Sequence, residues 1–253
     1  MTSICPFISE YLKPLFNEGH IQYVIRNTEV VEAARRYYSD NKENILAAWS
    51  RNGIDDKIIS AIWDTSVEAI ITPGFVAQYF EWFAVGMQLA YEKAPWNEAI
   101  RLEARGSLNA IGHYVCLGQK CVGFTYDAMA NTAIMDGLGA GIEQPEPYGT
   151  ITAPQLIARA GLEEGRHLSQ AFFPDFVPLD PTLSGPIKAA VAKALVERVT
   201  KHDMTPEEKE HQNENHPMEI EAELFLKQQW QELNARLAAV EKAKESDIAR
   251  GGV

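Results

Sequence analysis

Residues 72–95, TPGFVAQYFEWFAVGMQLAYEKAP, carry the most clearly bounded helix pattern in the chain. The stretch opens with a threonine, a preferred N-cap residue, followed by a proline, which suits the first helical position, and a second proline closes it. Apolar side chains surround almost the whole predicted helix, which is typical of a helix at the centre of a domain. Residues 96–137 become apolar towards their middle, so we predict a second central helix there. This pair, residues 72–137, is the predicted core.

Glu81 lies in the middle of the first of these apolar helices. A buried carboxylate requires a cation, a metal ion or a raised pKa, because an unpaired buried charge is costly. We therefore predict that Glu81 is a metal ligand or a general base. The alternative is a narrow solvated stripe, which Glu81 would share with Gln78, Gln88 and Glu92.

The second predicted helix contains His113 and Cys116, which are three residues apart, and Cys121. It also contains the glycines Gly106, Gly112, Gly118 and Gly123. Because each glycine costs about 1 kcal/mol relative to alanine in a helix interior, we expect a break near residues 118–120. His113 is a candidate acid–base residue or heme ligand, and the alternative is a hydrogen-bonded core histidine. Buried cysteines most often act as small apolar residues.

The composition limits the classes of protein that the chain can belong to. Its 253 residues are enough for one domain with a sizeable core, predicted to span residues 1–253. The formal net charge of −12 argues against nucleic acid or an anionic membrane as a partner. Three cysteines without a disulfide-framework spacing, and the lack of a leader-like apolar run, predict a cytoplasmic protein without a membrane span.

The rest of the chain is predicted to be helical, with an N-terminal arm over residues 1–18 and a C-terminal packing helix over residues 218–245. A loop over residues 174–186 carries four prolines and is long enough to act as a lid over a pocket. The C-terminal helix has apolar residues at alternating four- and three-residue steps, at Leu226, Trp230, Leu233, Leu237 and Val240. This seam predicts packing along one face, either against the same chain or in a homodimer.

The spacing Glu164-x-x-His167 is the most specific chemical pattern in the chain. A glutamate and a histidine three residues apart lie on the same helix face, as in the helical di-iron and di-manganese carboxylate sites. With Glu81, these residues are predicted to bind a metal ion, and Glu103 or Glu197 would add further carboxylates. The alternative for Glu164 is an exposed position on the polar face of its helix.

A second pair with the same spacing, Glu208 and His211, lies in a strongly acidic segment between residues 203 and 223. We interpret that segment as a solvated run of charges, in which the spacing arises by chance. The histidines in this segment and directly before it, His202, His211 and His216, are typical of weak surface metal binding. No P-loop, Gly-x-Ser-x-Gly or Cys-x-x-Cys pattern occurs in the chain.

These patterns together predict an all-α, single-domain bundle of about eight to ten helices. The predicted function is a metal-dependent enzyme, a helical non-heme iron oxygenase or oxidase that acts on a small, partly apolar metabolite. Carboxylates and imidazole are suitable ligands for iron and would leave positions for dioxygen. The alternatives are a non-catalytic sensor or ligand-binding protein that uses His113 for heme, and a cofactor-free enzyme that uses Glu81 or His113 as general base.

Overall fold

The fold is described from a computed structural model of the chain. The structure describes residues 21–25, 42–43, 73–93, 100–107, 110–117, 120–125, 142–172, 176–196 and 216–251. The predicted N-terminal arm and most of residues 20–68, which were predicted to be helical, lie outside this part of the chain. Within it, residues 21–25 form a strand, so the prediction of helix is wrong there. The count of eight to ten helices and the bundle therefore remain predictions.

Four helices make up most of the described residues. They are α1 (Pro73–Lys93), α2 (Ala153–Phe172), α3 (Ser184–Val196) and α4 (Pro217–Gly251). The predicted predominance of helix is thus confirmed for the described residues. None of these four helices is long and apolar enough to span a membrane. A short 3-10 turn, Pro181–Leu183, leads into α3.

Helix α1 is the central element that its apolar pattern predicts. Every residue from 81 to 91 is buried, including Glu81 and Gln88. The alternative of a solvated stripe through these two residues is therefore wrong. Helix α2 begins directly after Thr152, whose backbone N–H donates to the Gln155 Oε1 at 2.7 Å, half of a capping box.

The prediction of a second helix within residues 96–137 is wrong for residues 100–125. This segment forms three antiparallel strands, β2 (Ile100–Ser107), β3 (Ala110–Leu117) and β4 (Lys120–Thr125), and β1 (Ile21–Ile25) pairs in parallel with β2. Only two residues separate β2 from β3 and β3 from β4, as in tight hairpins. The helix-breaking glycines and the Val, Ile, Tyr and Phe content favour strands over a helix.

The change from helix to strand also alters which residues are neighbours of His113, Cys116 and Cys121. The helix break expected near residues 118–120 has no helix to interrupt, because strands β3 and β4 end and begin on either side of residues 118–119. Cys116 is the register partner of Cys121, and His113 is the partner of Ala104 and Phe124. The helical spacing that would place His113 and Cys116 on one face therefore does not apply. A small hairpin of β5 (Ile142–Gln144) and β6 (Gly149–Ile151) precedes α2.

Glycines allow α1 and α2 to approach each other closely. A Cβ added to Gly161 of α2 would lie 2.0 Å from the carbonyl oxygen of Phe83, and one added to Gly86 of α1 would lie 1.9 Å from that of Ala158. Because Gly86 faces Ala158 while the later Ala90 faces Gly165, the two helices run in the same direction. Close contact of this kind requires residues without a side chain.

Helix α4 packs against α1 and α2 in the opposite direction through the predicted apolar seam. The five residues of this seam are all buried within the chain, namely Leu226, Trp230, Leu233, Leu237 and Val240. Packing within one chain is therefore the alternative that the structure supports, and a homodimer through these residues has no support in it. The helix itself contains the predicted C-terminal packing helix, residues 218–245, and extends it at both ends.

We predict that Gly161→Ala destabilises the protein by about 1–3 kcal/mol or more, because the added methyl group would overlap backbone atoms of α1. Gly185→Ala is the matched control, since nothing lies within 4 Å of a Cβ at Gly185 in α3. This control is expected to be neutral or stabilising by up to about 1 kcal/mol. Urea denaturation measures both variants, and equal stability of the two would contradict the close helix contact.

We also predict that Leu233→Asp lowers the free energy of unfolding by about 3 kcal/mol or more, because it places an unpaired charge at a fully buried position. Ala238→Asp, at an exposed position of the same helix, is the control and is expected to cost much less. Thermal denaturation gives the stability, and sedimentation gives the mass of the wild type. An unchanged melting temperature for Leu233→Asp would show that the seam is not part of the core.

Candidate metal centre

Three side chains from α2 and α4 bring potential metal-ligating atoms together. Glu163, His167 and Glu219 each offer one such atom, and these atoms lie within 4.8 Å of one another. Glu163 and His167 are four residues apart in α2 and therefore lie on one face of the helix. Glu219 belongs to the first turn of α4, where the antiparallel packing brings it to the C-terminal half of α2. The His167 Nε2 lies 3.2 Å from the Glu219 Oε2.

The imidazole of His167 is held from its other side by Gln170. The His167 Nδ1 lies 2.8 Å from the Gln170 Oε1, and an amide oxygen can only accept, so Nδ1 carries a proton and donates it. The orientation of this amide is fixed by its nitrogen, which donates to the Met218 carbonyl oxygen at 3.0 Å and to the Glu221 Oε2 at 2.7 Å. The ring nitrogen Nε2 is thereby directed towards the two glutamates.

Glu221, which helps to orient Gln170, also forms a buried ion pair with Arg166. The guanidinium donates through Nε to the Glu221 Oε2 at 3.0 Å and through Nη2 to Oε1, which is a bidentate arrangement. Both side chains are almost completely buried. The guanidinium also packs over the rings of Phe176 and Phe225, at 4.5 and 4.4 Å from their centroids. These contacts join α2 to α4 next to the candidate site.

The segment between α2 and α3 crosses this ion pair. Phe176 covers one side of the guanidinium, and the backbone N–H of Leu179 donates to the Glu221 Oε1 at 3.2 Å. The described part of the predicted lid is residues 176–186, of which 184–186 belong to α3. Its first part is attached to α4 by the hydrogen bond to the buried Glu221. The side chains of Val177 and Leu179 remain exposed. Whether this segment opens as a lid stays a prediction.

Burial and crowding of carboxylates perturb the ionisation of the candidate site. Burial raises the pKa of Glu163, and it raises the pKa of Glu164 to about 8, although the charge of His167 acts in the opposite direction. For His167, burial lowers the pKa, but the hydrogen bond to Glu219 and the charges of the neighbouring glutamates outweigh it and raise the pKa to about 10. The metal-free site therefore holds its protons tightly at neutral pH.

The predicted pair Glu164 and His167 lies in the same part of α2 as the three-residue group, but the group contains a different carboxylate. Glu163, four residues before His167, joins the three-residue group, and Glu164 does not belong to it. The metal-ligand role of Glu164 stays a prediction. Glu219 was missed because it belongs to the acidic segment that we interpreted as a solvated run. In the described part of that segment, Glu219 pairs with His167, and Glu221 is fully buried.

The structure does not bring Glu81 to His167. The Glu81 Oε2 lies 3.0 Å from the Lys244 Nζ, whereas His167 contacts Glu219 at the other end of α4. At about 1.5 Å per residue, the two contact points on this helix are roughly 37 Å apart. One metal ion therefore cannot be bound by Glu81 and His167 together in this arrangement. The cation that a buried carboxylate requires is, for Glu81, the ammonium group of Lys244.

The other predicted site residues are distributed over different parts of the chain. His113 and Glu103 lie in strands β3 and β2, and their roles as acid–base residue, heme ligand or additional carboxylate stay predictions. The remaining candidates lie outside the described residues, namely Glu197, His202, Glu208 and His211. His216 precedes α4, and its carbonyl oxygen accepts from the backbone N–H of Ile220 at 3.0 Å.

Comparison with known proteins does not assign the chain to a family. No protein-family model, no curated protein and no solved structure matches its sequence or its fold. The geometry of the α2–α4 site and the chemistry of its residues therefore provide the basis for a functional proposal.

Proposed function

We propose that this chain is a metal-dependent enzyme of the non-heme iron oxygenase or oxidase class. It would bind a divalent transition-metal ion through Glu163, His167 and Glu219. The single observation that carries the proposal is the convergence of one imidazole nitrogen and two carboxylates within 4.8 Å. These three residues replace the ligand set predicted from the sequence, Glu81, Glu164 and His167, because Glu81 and His167 are too far apart to bind one ion.

The distances within the group support adjacent coordination to one ion. Protein ligands lie at about 2.0–2.2 Å from a transition metal, so two neighbouring ligand atoms are separated by about 3–3.5 Å. The 3.2 Å between the His167 Nε2 and the Glu219 Oε2 agrees with this separation. The same distance also suits an ion pair between protonated His167 and Glu219. The support for a metal ion comes from the third ligand atom, from Glu163, which lies within 4.8 Å of the other two.

The chemistry of the donor set favours iron, manganese or zinc over calcium or magnesium. Imidazole nitrogen is a good ligand for iron and zinc, and carboxylate oxygen suits manganese as well. Histidines that bind metals almost always donate their second ring N–H to an oxygen, as His167 does to Gln170. Three protein ligands leave coordination positions for water or substrate, which is typical of catalytic sites.

The raised pKa values of Glu163 and Glu164 also support a bound cation at this site. Burial and neighbouring carboxylates raise the pKa values of Glu163 and Glu164, so the ionised forms are disfavoured in the metal-free protein. A divalent cation would reverse this preference and stabilise the ionised carboxylates. Iron(II) bound there would supply dioxygen activation, and the protein residues would hold the ion and neutralise its charge.

We predict that His167→Ala and Glu163→Gln each remove most of the bound metal, because each loses one ligand atom. Glu164→Gln is the matched control within the same turn of α2 and is expected to retain the metal. His211→Ala, in the acidic segment, should also leave the metal content unchanged. Elemental analysis of protein purified without a histidine tag from iron-supplemented cells, together with zinc titration, measures these effects.

Two outcomes of this experiment would overturn parts of the proposal. Loss of metal in Glu164→Gln but not in Glu163→Gln would restore the ligand pair first predicted from the sequence. A wild type with less than about one-tenth equivalent of any transition metal, and no zinc binding, would exclude the metalloenzyme. The cofactor-free alternative, with Glu81 or His113 as general base, would then be tested by substituting those residues. Glu164, whose pKa burial raises to about 8, would be a further acid–base candidate.

We further predict that the metal-free protein loses stability as the pH rises from about 5 to 10. The native pKa values of Glu164, about 8, and His167, about 10, exceed the ordinary values of 4.5 and 6.5, so the native state binds these protons more tightly than the unfolded state. The stabilisation from Glu164 is complete below about 4.5, and that from His167 below about 6.5. Each is lost as the pH rises through the native pKa.

Urea denaturation at pH 6 and pH 9 measures this loss. Glu164→Gln should lose less stability over the interval than the wild type, because the amide cannot ionise. Zinc should stabilise the wild type more at pH 9 than at pH 6, since protons compete with the metal for the ligands. Stability that rises with pH in the metal-free protein would contradict the ionisation described for this site.

A further inference from the structure

We propose that Gln170 is a positioning residue of the candidate metal centre, which accepts the Nδ1 proton of His167 and thereby directs Nε2 towards Glu163 and Glu219. The effect on metal binding rests on the proposed function. The hydrogen bond between His167 and Gln170 can be tested without any metal. Gln170 is buried, and both of its polar side-chain atoms have partners.

The direction of the Gln170 amide follows from the groups around its nitrogen. The Met218 carbonyl oxygen and the Glu221 carboxylate are acceptors only, at 3.0 and 2.7 Å, so the NH₂ group must face them. The amide oxygen is thereby left to face the imidazole of His167. A rotated amide would bring oxygen against two oxygens, and its nitrogen could not accept the Nδ1 proton.

The position of the His167 proton then determines which nitrogen can bind a metal. Because Nδ1 donates to Gln170, the lone pair available after loss of one proton belongs to Nε2, the nitrogen 3.2 Å from Glu219. The ring is also prevented from turning, since a flipped imidazole would lose both contacts. Gln170 thus determines the coordinating atom and its direction without touching the metal.

Gln170 also connects the candidate site to the ion pair beside it. The Glu221 Oε2 that accepts from the Gln170 amide accepts from the Arg166 Nε as well, and the other Glu221 oxygen accepts from the backbone N–H of Leu179. The acceptor that orients Gln170 is therefore fixed by α2 and by the segment before α3. Among the described residues, only this orientation of the Gln170 amide keeps its hydrogen bonds to Met218, Glu221 and His167.

The test compares Gln170→Leu with Gln155→Leu. Gln155 is a suitable control because its amide also links α2 to α4, through Asn234 at 2.9 Å, but has no contact with His167. In metal-free protein, NMR should detect the His167 Nδ1 proton as a slowly exchanging resonance in the wild type and in Gln155→Leu, and not in Gln170→Leu. Nitrogen chemical shifts of zinc-loaded wild type should identify Nε2 as the coordinating atom.

Zinc affinity gives the functional consequence. Gln170→Leu should bind zinc about 10- to 100-fold more weakly than the wild type, whereas Gln155→Leu should bind nearly as tightly. A Nδ1 proton that persists unchanged in Gln170→Leu, or equal zinc affinity of that variant and the wild type, would overturn the inference. If the wild type binds no zinc but loses the Nδ1 resonance on Gln170→Leu, the positioning contact stands and the proposed metal function fails.

Discussion

The buried ion pair between Arg166 and Glu221 is the contact on which the described arrangement of α2, α4 and the segment before α3 depends. Both partners are almost fully buried, and the guanidinium packs over two aromatic rings. Removing one partner of such a pair typically costs about 3–5 kcal/mol, because the other charge stays buried without compensation. The bidentate geometry also sets the register between the two helices, since neither can slide without breaking both hydrogen bonds.

The geometry of the candidate metal centre follows from this register. With Glu221 opposite Arg166, the first turn of α4 brings Glu219 to His167, and the Glu221 carboxylate orients the amide of Gln170. The ligand atoms thus lie on two helices rather than on loops, and their neighbours are fixed by packing and hydrogen bonds. Sites supported in this way hold their groups more accurately than sites built on flexible segments.

The sequence predicted features with strong local signals, such as the capped and apolar helix α1 and the seam of α4. It failed for residues 100–125, because a glycine-rich apolar stretch satisfies both a broken helix and a set of short strands. The Glu164-x-x-His167 spacing directed attention to His167, but a helix offers carboxylates at both three and four residues, and the group with Glu219 contains Glu163 instead of Glu164. Glu219 could not be found locally, because its acidic neighbourhood also suits a solvated surface.

The two ends of α4 differ in how their buried carboxylates are compensated. At the C-terminal end, the buried Glu81 has the ammonium group of Lys244 at 3.0 Å, so the charge is compensated within the chain. At the N-terminal end, burial raises the pKa values of Glu163 and Glu164 although a protonated His167 is beside them. Burial thus outweighs the charge of His167 at both glutamates, and also that of Arg159 at Glu163. A divalent ion in place of its Nε2 proton would add a full positive charge at the point where the carboxylate oxygens converge.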